Sequence, residues 1–328
     1  MIENEPPKEQ VLVVHEGDLR ATVRMLAAAR MIRDHHRKAR ITFLTTPEFE
    51  GLVKYCPYFN VVEPGLHVSA KKGFFERVKM ARASKFDFVY DLCGSDAARK
   101  LKAAMRLSRG RWIDAAPDAR AAGHPVEQIA EKLGEAGLGE TRYALGAAPP
   151  PLLDWVDFVA KRSRTLEPAY FGLQGRYALF APAGDEFAPA LRWPKERWAS
   201  LAHALIEQGV EPTIVGGPSA REVGRYVAHV TPGARDLTGR ANLVQLAGLG
   251  RKASFAFGED VDLLHLLVAA GAPAVMFHPG QEAPHMASPR GPESVILMHA
   301  PTLAQISVAE AVQSMRVAGG FARNPEAA

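Results

Sequence analysis

Short apolar segments alternate with amphipathic segments along most of this chain. Residues 11–15 form an apolar, β-branched run, and residues 19–35 then place apolar side chains at helical spacing. Apolar runs without internal alternation are typical of strands buried on both faces, and neighbouring parallel strands need helical crossovers between them. The pattern predicts an α/β protein with doubly wound parallel sheets, covered by helices on both faces.

The alternation is interrupted once. Between residues 137 and 174 the chain has three consecutive prolines, a short helical stretch and a Gly- and Pro-bearing connection, and the alternation restarts near residue 176. A chain of 328 residues is long enough for two cores of about 150 residues each. We expect two Rossmann-like domains, residues 1–150 and 151–328, facing across a cleft, with the last helix packing back toward the first domain. Open α/β sheets bind ligands at the carboxyl ends of their strands, so functional residues are expected there.

Charge and cysteine content narrow the class of protein. The formal charge is +4, which suits an anionic partner without requiring one. Cys56 and Cys93 are the only cysteines, too few for a disulfide framework or a thiolate metal cage, so a cytoplasmic location is expected. The polar first ten residues do not resemble a signal peptide, and no apolar run approaches about 18 residues. Any membrane contact is expected to be peripheral, at the inner face of the cytoplasmic membrane.

A turn after the first predicted strand carries the candidate catalytic residue. His15, Glu16, Gly17 and Asp18 join this strand to the first long helix. Asp18 occupies a position where it could cap the helix. It could equally act as a general base that accepts a proton from an acceptor hydroxyl. Spacing alone leaves both roles open.

Basic residues follow the predicted strand at residues 86–92. Arg99, Lys100 and Arg106 lie in the next predicted helix and are candidates for binding an anionic acceptor through charge-assisted contacts. A solvated basic face is the alternative. No aromatic residues interleave these basic ones as stacking platforms, so nucleic acid is not an expected partner.

Two glycine-bearing loops follow strands of the second domain. Pro182, Ala183 and Gly184 end one strand, and Gly216 and Gly217 end the next. Backbone N–H groups in such loops can approach an anionic ligand closely, although simple strand-to-helix turns have the same composition. Neither loop is a complete dinucleotide or P-loop fingerprint. We treat all five residues as candidates for donor binding.

A predicted helix start contributes the remaining candidates. Asp260, Val261 and Asp262 follow the strand that ends near residue 258, and the helix carries His265. A helix N-terminus attracts a diphosphate, but carboxylates placed there repel it. His265 is either a donor-site residue or a hydrogen-bonded core histidine. The histidines lack metal-ligand spacing with acids or cysteines, so no metal and no cofactor is expected.

Several segments together resemble the bacterial heptosyltransferase family, glycosyltransferase family 9. These inverting enzymes of GT-B fold add ADP-activated heptose to the lipopolysaccharide core. In the second half, ALFAPAG, RWPKERWASLAHAL, EPTIVGGPSARE and HLLVAAGAPAVMFHPG carry the resemblance, and in the first half VLVVHEGDLRATVRM resembles the opening strand and Gly-Asp turn. The resemblance implies a GT-B fold, a nucleotide-sugar donor, an anionic glycolipid or glycan acceptor and no metal. It places Asp18 on the family's catalytic base.

The chain departs from the family pattern where the donor phosphates are expected. The family signature Asp-Ser/Thr-Gly-x-x-His keeps its aspartate and histidine, but Val261 and Asp262 replace the hydroxyl residue and the glycine. Leu191 stands where the family has a lysine, which leaves Arg192 as the expected cation. Two main functions therefore stay open: transfer of a heptose-like sugar from a nucleotide diphosphate to a lipopolysaccharide-type or other glycan, or an inactive GT-B scaffold with an edited donor site. A nucleotide-sugar epimerase of similar fold is a third reading.

Overall fold

Two compact units make up the chain, Met1–Pro151 and Leu152–Ala328. The structure is a computed structural model that describes residues 9–64, 73, 75–76, 78–79, 85–105, 110–259, 261–279 and 284–317. Each unit contains one parallel sheet with helices between its strands. The predicted α/β class is confirmed.

The first unit is built on a five-stranded sheet. Its elements are β1 (Gln10–Val14), α1 (Leu19–His35), β2 (Arg40–Thr45), α2 (Pro47–Val53), β3 (Val61–Pro64), β4 (Phe88–Asp91), α3 (Asp96–Ala104), β5 (Arg111–Asp114) and α4 (Pro125–Glu135). The strand order is β3-β2-β1-β4-β5, and every pairing is parallel. The central strand β1 is buried from Val11 to Val14, as expected for a strand covered on both faces.

The second unit is built on a six-stranded sheet. Its elements are α5 (Val156–Ala160), β6 (Tyr177–Ala181), α6 (Lys195–Ile206), β7 (Glu211–Ile214), α7 (Arg221–Val230), β8 (Arg235–Asp236), α8 (Leu243–Lys252), β9 (Phe255–Glu259), α9 (Asp262–Ala270), β10 (Ala274–Pro279), α10 (Pro284–Ala287), β11 (Val295–Ala300) and α11 (Val308–Val317). The strand order is β11-β10-β9-β6-β7-β8. From β6 the chain adds β7 and β8 on one side, and it then crosses to the other side of β6 to add β9, β10 and β11. The switch point therefore lies between β6 and β9. Ligands of open α/β sheets bind outside the carboxyl ends of the strands at such a switch point.

Aromatic side chains dominate the core of the second unit. Trp193 and Trp198 are buried, with ring centroids 5.0 Å apart, and Trp193 lies 4.6 Å from Phe277 of β10. The last helix contributes to the same core, because Ala311 and Met315 of α11 are buried in it. The buried residues of this helix thus belong to the core of its own unit.

Five of these elements were not predicted from the sequence. They are the strands β5, β8 and β11, which lie at the ends of their strand orders, and the helices α4 and α10. Among the helices of the described residues, none combines the length and the apolar character that crossing a bilayer requires.

Candidate functional site

The turn after β1 places Asp18 at the start of α1. Asp18 is exposed and is the N-cap of this helix, because its Oδ1 accepts a hydrogen bond from the backbone N–H of Ala21 at 2.7 Å. The capping role is therefore real. It does not exclude a role in proton transfer, because the carboxylate is open to solvent at the carboxyl edge of the sheet. The general-base role of Asp18 stays a prediction.

His15 lies beneath this turn and is buried. Its Nε2 is 3.3 Å from the hydroxyl of Thr22, within hydrogen-bonding distance. Burial lowers the pKa of His15 to about 4, although the nearby carboxylates of Asp18 and Glu16 act to raise this pKa. The imidazole is therefore neutral near pH 7. It places no positive charge beside Asp18 that would weaken the carboxylate as a base.

Asp91 ends the neighbouring strand, and the sequence analysis did not select it. β4 pairs with β1 in parallel, with Asp91 opposite Val14, so both loops lie at the same edge of the sheet. The buried Asp91 carboxylate accepts hydrogen bonds from the backbone N–H groups of Cys93 at 3.0 Å and Gly94 at 2.8 Å. These bonds shape the connection into α3. An acid directly after an apolar run was the available signal.

The predicted acceptor-binding residues lie on α3. Arg99 and Lys100 are exposed, one turn into the helix that follows β4. Arg99 donates to the carbonyl of Gly94 at 2.5 Å and forms an ion pair with Asp96. Arg106, the third candidate, lies outside the described residues. The acceptor-binding role of all three stays a prediction.

The two predicted donor loops are close to each other in the second unit. Pro182, Ala183 and Gly184 follow β6 and are all buried. A Cβ added at Gly184 would lie 2.4 Å from the Cβ of Ser219, so only glycine permits this approach between the loop at 182–184 and the turn after β7. The hydroxyl of Ser219 donates to the carboxylate of Glu186 at 3.2 Å. The structure thus brings the loops together and places an acidic side chain against them.

The backbone conformation at Gly216 favours glycine, whereas the space around Gly217 would accept a side chain. Alanine substitutions at these two neighbouring positions should therefore have different effects on stability. Gly216 has a φ of +150°, and an added Cβ would lie 2.8 Å from the Cβ of Ala220, whereas a Cβ at Gly217 would meet nothing within 4 Å. We expect Gly216→Ala to lower the free energy of unfolding by about 1–3 kcal/mol because the conformation is strained for alanine. Gly217→Ala should change it by less than about 0.5 kcal/mol. Urea unfolding of both variants tests this, and equal effects would contradict it.

Glu259 is a member of this site that the sequence analysis missed. It is the last residue of β9, at the switch point, and it is 1% exposed. Its two carboxyl oxygens accept hydrogen bonds from the backbone N–H groups of Ala183 and Trp193. Burial raises the pKa of Glu259 to about 8, even though these two bonds and Arg192 act to lower it. One side chain thus joins β9, the loop at 182–184 and the segment that enters α6.

Arg192 is the cation that the structure places beside this acid. It is partly buried, and its Nε is buried without a hydrogen-bond partner among the described residues. Its charge acts on the carboxyls of Glu259 and Glu222, while Glu222 is itself paired with Lys195 at 2.6 Å. Leu191, where the resemblance expects a lysine, is 39% exposed. Arg192 therefore has donor capacity left for an anionic ligand.

The helix start after β9 holds the rest of the predicted donor residues. Val261 is the N-cap of α9 and makes no side-chain capping bond, and Asp262 is the first residue of the helix. His265 is 1% exposed. Asp260 lies outside the described residues. Within the described part of the chain, no three His, Cys, Asp or Glu side chains are grouped so as to hold a metal ion.

Comparison with known proteins assigns this unit. The sequence model of glycosyltransferase family 9 (heptosyltransferase) matches residues 149–308. Over these residues the C-terminal unit is similar to glycosyltransferase family 9. The resemblance predicted from the motifs is confirmed. A lipopolysaccharide heptosyltransferase 2 of Salmonella typhimurium is 30% identical over 149 residues, which are 43% of this chain and 42% of that protein. The match thus spans less than half the length of this curated family-9 relative.

Solved structures show the fold over nearly the whole chain. A family-9 glycosyltransferase from Veillonella parvula has a TM-score of 0.78 at 16% identity, covering 97% of this chain and 99% of that one. The Escherichia coli heptosyltransferase WaaC with ADP has a TM-score of 0.73 at 20% identity, covering 94% and 99%. At such identities the likeness concerns the fold alone, and it confirms the predicted GT-B class of fold.

Proposed function

We propose that this chain is an inverting glycosyltransferase that moves a heptose-like sugar from a nucleoside-diphosphate donor to a lipopolysaccharide-type or other glycan acceptor. The observation that carries the proposal is Arg192, a partly buried guanidinium whose Nε has no hydrogen-bond partner among the described residues, close to the switch point of a domain that matches family 9. An arginine in this position suits phosphate oxygens, which accept charge-assisted hydrogen bonds. Binding of ADP by the related WaaC supports a nucleoside diphosphate as the leaving group.

The proposed reaction uses one carboxylate and one cation. Asp18 accepts the proton of an acceptor hydroxyl, and the acceptor oxygen forms a bond to the anomeric carbon of the donor sugar. The bond from that carbon to the diphosphate oxygen breaks, and the diphosphate leaves with its negative charge stabilised by Arg192. A single displacement of this kind inverts the anomeric configuration. No metal is expected to take part.

The acceptor is proposed to be an anionic glycolipid or glycan. Arg99 and Lys100 present positive charge on α3, and Arg106 follows in sequence. The name of the Salmonella relative, a lipopolysaccharide heptosyltransferase, supports a lipopolysaccharide-type acceptor. We expect the protein to act in the cytoplasm, with peripheral contact at the inner face of the membrane, and without nucleic acid.

Calorimetric titration with ADP, UDP and GDP tests the donor site. We expect one of the three to bind and Arg192→Ala to weaken that binding by about 10- to 100-fold, because charge-assisted hydrogen bonds contribute about 1.5–3 kcal/mol. Arg225→Ala is the matched control, since Arg225 is an exposed arginine in the second turn of α7. The affinity of this variant for the nucleotide should equal that of the unmodified protein. Equal weakening in both variants would contradict the assignment of Arg192.

A second candidate function is a GT-B scaffold or binding subunit without catalysis. The acids at the donor loops favour it: Glu259 already occupies the N–H group of Ala183, and Glu186 lies against Gly184. The same titration separates the two functions. Absence of heat with all three nucleotides, together with binding to vesicles that contain an anionic glycolipid, would establish the scaffold and overturn the transferase.

A further inference from the structure

A buried carboxyl group lies where the proposed donor site needs positive potential. Glu259 ends β9 beside β6, and its oxygens accept the N–H groups of Ala183, in the predicted donor loop, and of Trp193, next to Arg192. It therefore sets the position of both segments relative to the sheet. When ionised, it also adds a negative charge close to where the donor phosphates are expected to bind.

We propose that Glu259 is a positioning residue of the donor site and that it takes up a proton when the donor diphosphate engages Arg192. The inference rests on the proposed function and extends it to the protonation state of the site. The positive charge of Arg192 acts on the ionised carboxylate of Glu259, and the proposed donor diphosphate needs the same charge. The neutral acid leaves Arg192 to the donor, while its oxygens can still accept the two backbone bonds.

Burial raises the pKa of Glu259 to about 8, so without a bound donor the carboxyl is mostly protonated at pH 7, about half protonated at pH 8 and mostly ionised at pH 9. A diphosphate adds negative charge and takes the positive charge of Arg192, and both effects raise the pKa further. By linkage, the protonated protein binds the donor more tightly, and donor affinity must fall as the pH rises above about 8.

Other charged and titratable groups lie on the elements packed around Glu259. On the segment entering α6, Arg192 is the charge that acts on this carboxyl, and the nearby rings are those of Trp193 and Trp198. Asp262 and His265 lie on α9, and His278 lies on β10. The variant Glu259→Gln leaves all of these groups in place, so it separates their contribution to proton uptake from that of Glu259.

Calorimetry of ADP binding at about pH 8, in two buffers with different ionisation enthalpies, measures the proton directly. We expect an uptake of up to about half a proton per ADP bound, and a rise in Kd of about tenfold between pH 7 and pH 9. The second ionisation of a phosphate has a pKa of about 6, so ADP itself contributes little at pH 8. UDP or GDP replaces ADP if it is the nucleotide that binds.

Glu259→Gln identifies the group responsible, because glutamine has nearly the same shape and cannot titrate. Its amide oxygen keeps one of the two hydrogen bonds from the backbone N–H groups of Ala183 and Trp193, and its amide nitrogen cannot accept the other. We expect this variant to bind ADP without proton uptake and with a Kd that changes less than about twofold between pH 7 and pH 9. Glu207→Gln, an exposed acid at the end of α6, is the matched control and should keep the pH dependence of the unmodified protein.

Each outcome decides between the two proposals. Binding without proton uptake in the unmodified protein, or uptake that persists in Glu259→Gln, would overturn this inference and leave the proposed function standing. No binding of ADP, UDP or GDP would overturn the proposed function and the inference with it. The measurement on the unmodified protein decides the question even if Glu259→Gln does not fold.

Discussion

Asp18→Asn is expected to lower kcat by about 10²- to 10⁴-fold, the range that general-base catalysis typically contributes. The substitution removes the proton acceptor but keeps the helix cap, because asparagine caps helices about as well as aspartate. Stability should therefore stay within about 0.5 kcal/mol of the unmodified protein. Affinity for the nucleotide should not change, since Asp18 belongs to the first unit and Arg192 to the second. Initial rates of sugar transfer and calorimetry with ADP check these points.

Asp34→Asn is the matched control for Asp18. Asp34 is an exposed acid in the last turn of the same helix, paired only loosely with Arg30 at 3.8 Å. We expect the sugar-transfer activity of Asp34→Asn to remain within about twofold of that of the unmodified protein. Full activity in Asp18→Asn would rule out the base role and leave Asp18 as a helix cap alone.

Trp198→Ala is expected to lower the unfolding free energy of the second unit by about 3–5 kcal/mol, the usual cost of replacing a buried large aromatic residue by alanine. Trp198 is fully buried, with ring centroids 5.0 Å from Trp193, 5.1 Å from Phe180 and 5.7 Å from Phe277. The cavity would open next to Trp193, whose backbone N–H group donates a hydrogen bond to Glu259. We therefore also expect weaker nucleotide binding in this variant.

Urea unfolding followed by far-UV circular dichroism tests the effect on stability. A protein of two units can unfold in two transitions, and only the transition of the second unit should shift. Trp112→Ala is the matched control, because Trp112 is half-buried on β5 of the first unit and should affect only the other transition. A loss below about 1 kcal/mol in Trp198→Ala would contradict the central place of this ring in the core.

The fold was predictable where the sequence pattern is strong. Central strands such as β1 and β6 are buried along most of their length and appear in the sequence as continuous apolar runs. The edge strand β5 contains Arg111 and Asp114, so its side chains do not form a continuous apolar run. The edge strand β11 begins with an apolar run at residues 295–298 and was missed although this signal was present. The helix α4 was missed for a different reason. Its start depends on a capping box between His124 and Glu127, with histidine in a position where Ser, Thr, Asp or Asn is usual.

The candidate site was predictable only in part. Gly216 and Asp18 carry local signals, a glycine that ends a strand and an acid that begins a helix, and the structure places them in those positions. Glu259 carries only a weak local signal, an acid at the end of an apolar run. What makes it important is its hydrogen bonds to Ala183 and Trp193, which are 76 and 66 residues away in sequence.

The sequence by itself determined the alternation of strands and helices, the resemblance to glycosyltransferase family 9, and the loops that end the strands, because each depends on side chains within a few residues of one another. The tertiary structure decided the strand order, and with it the pairing of β9 with β6. Only that pairing places the Glu259 carboxyl beside the donor loop and Arg192. Its burial there is what shifts its pKa toward the physiological range, since the energy of an ionised group depends on everything packed around it.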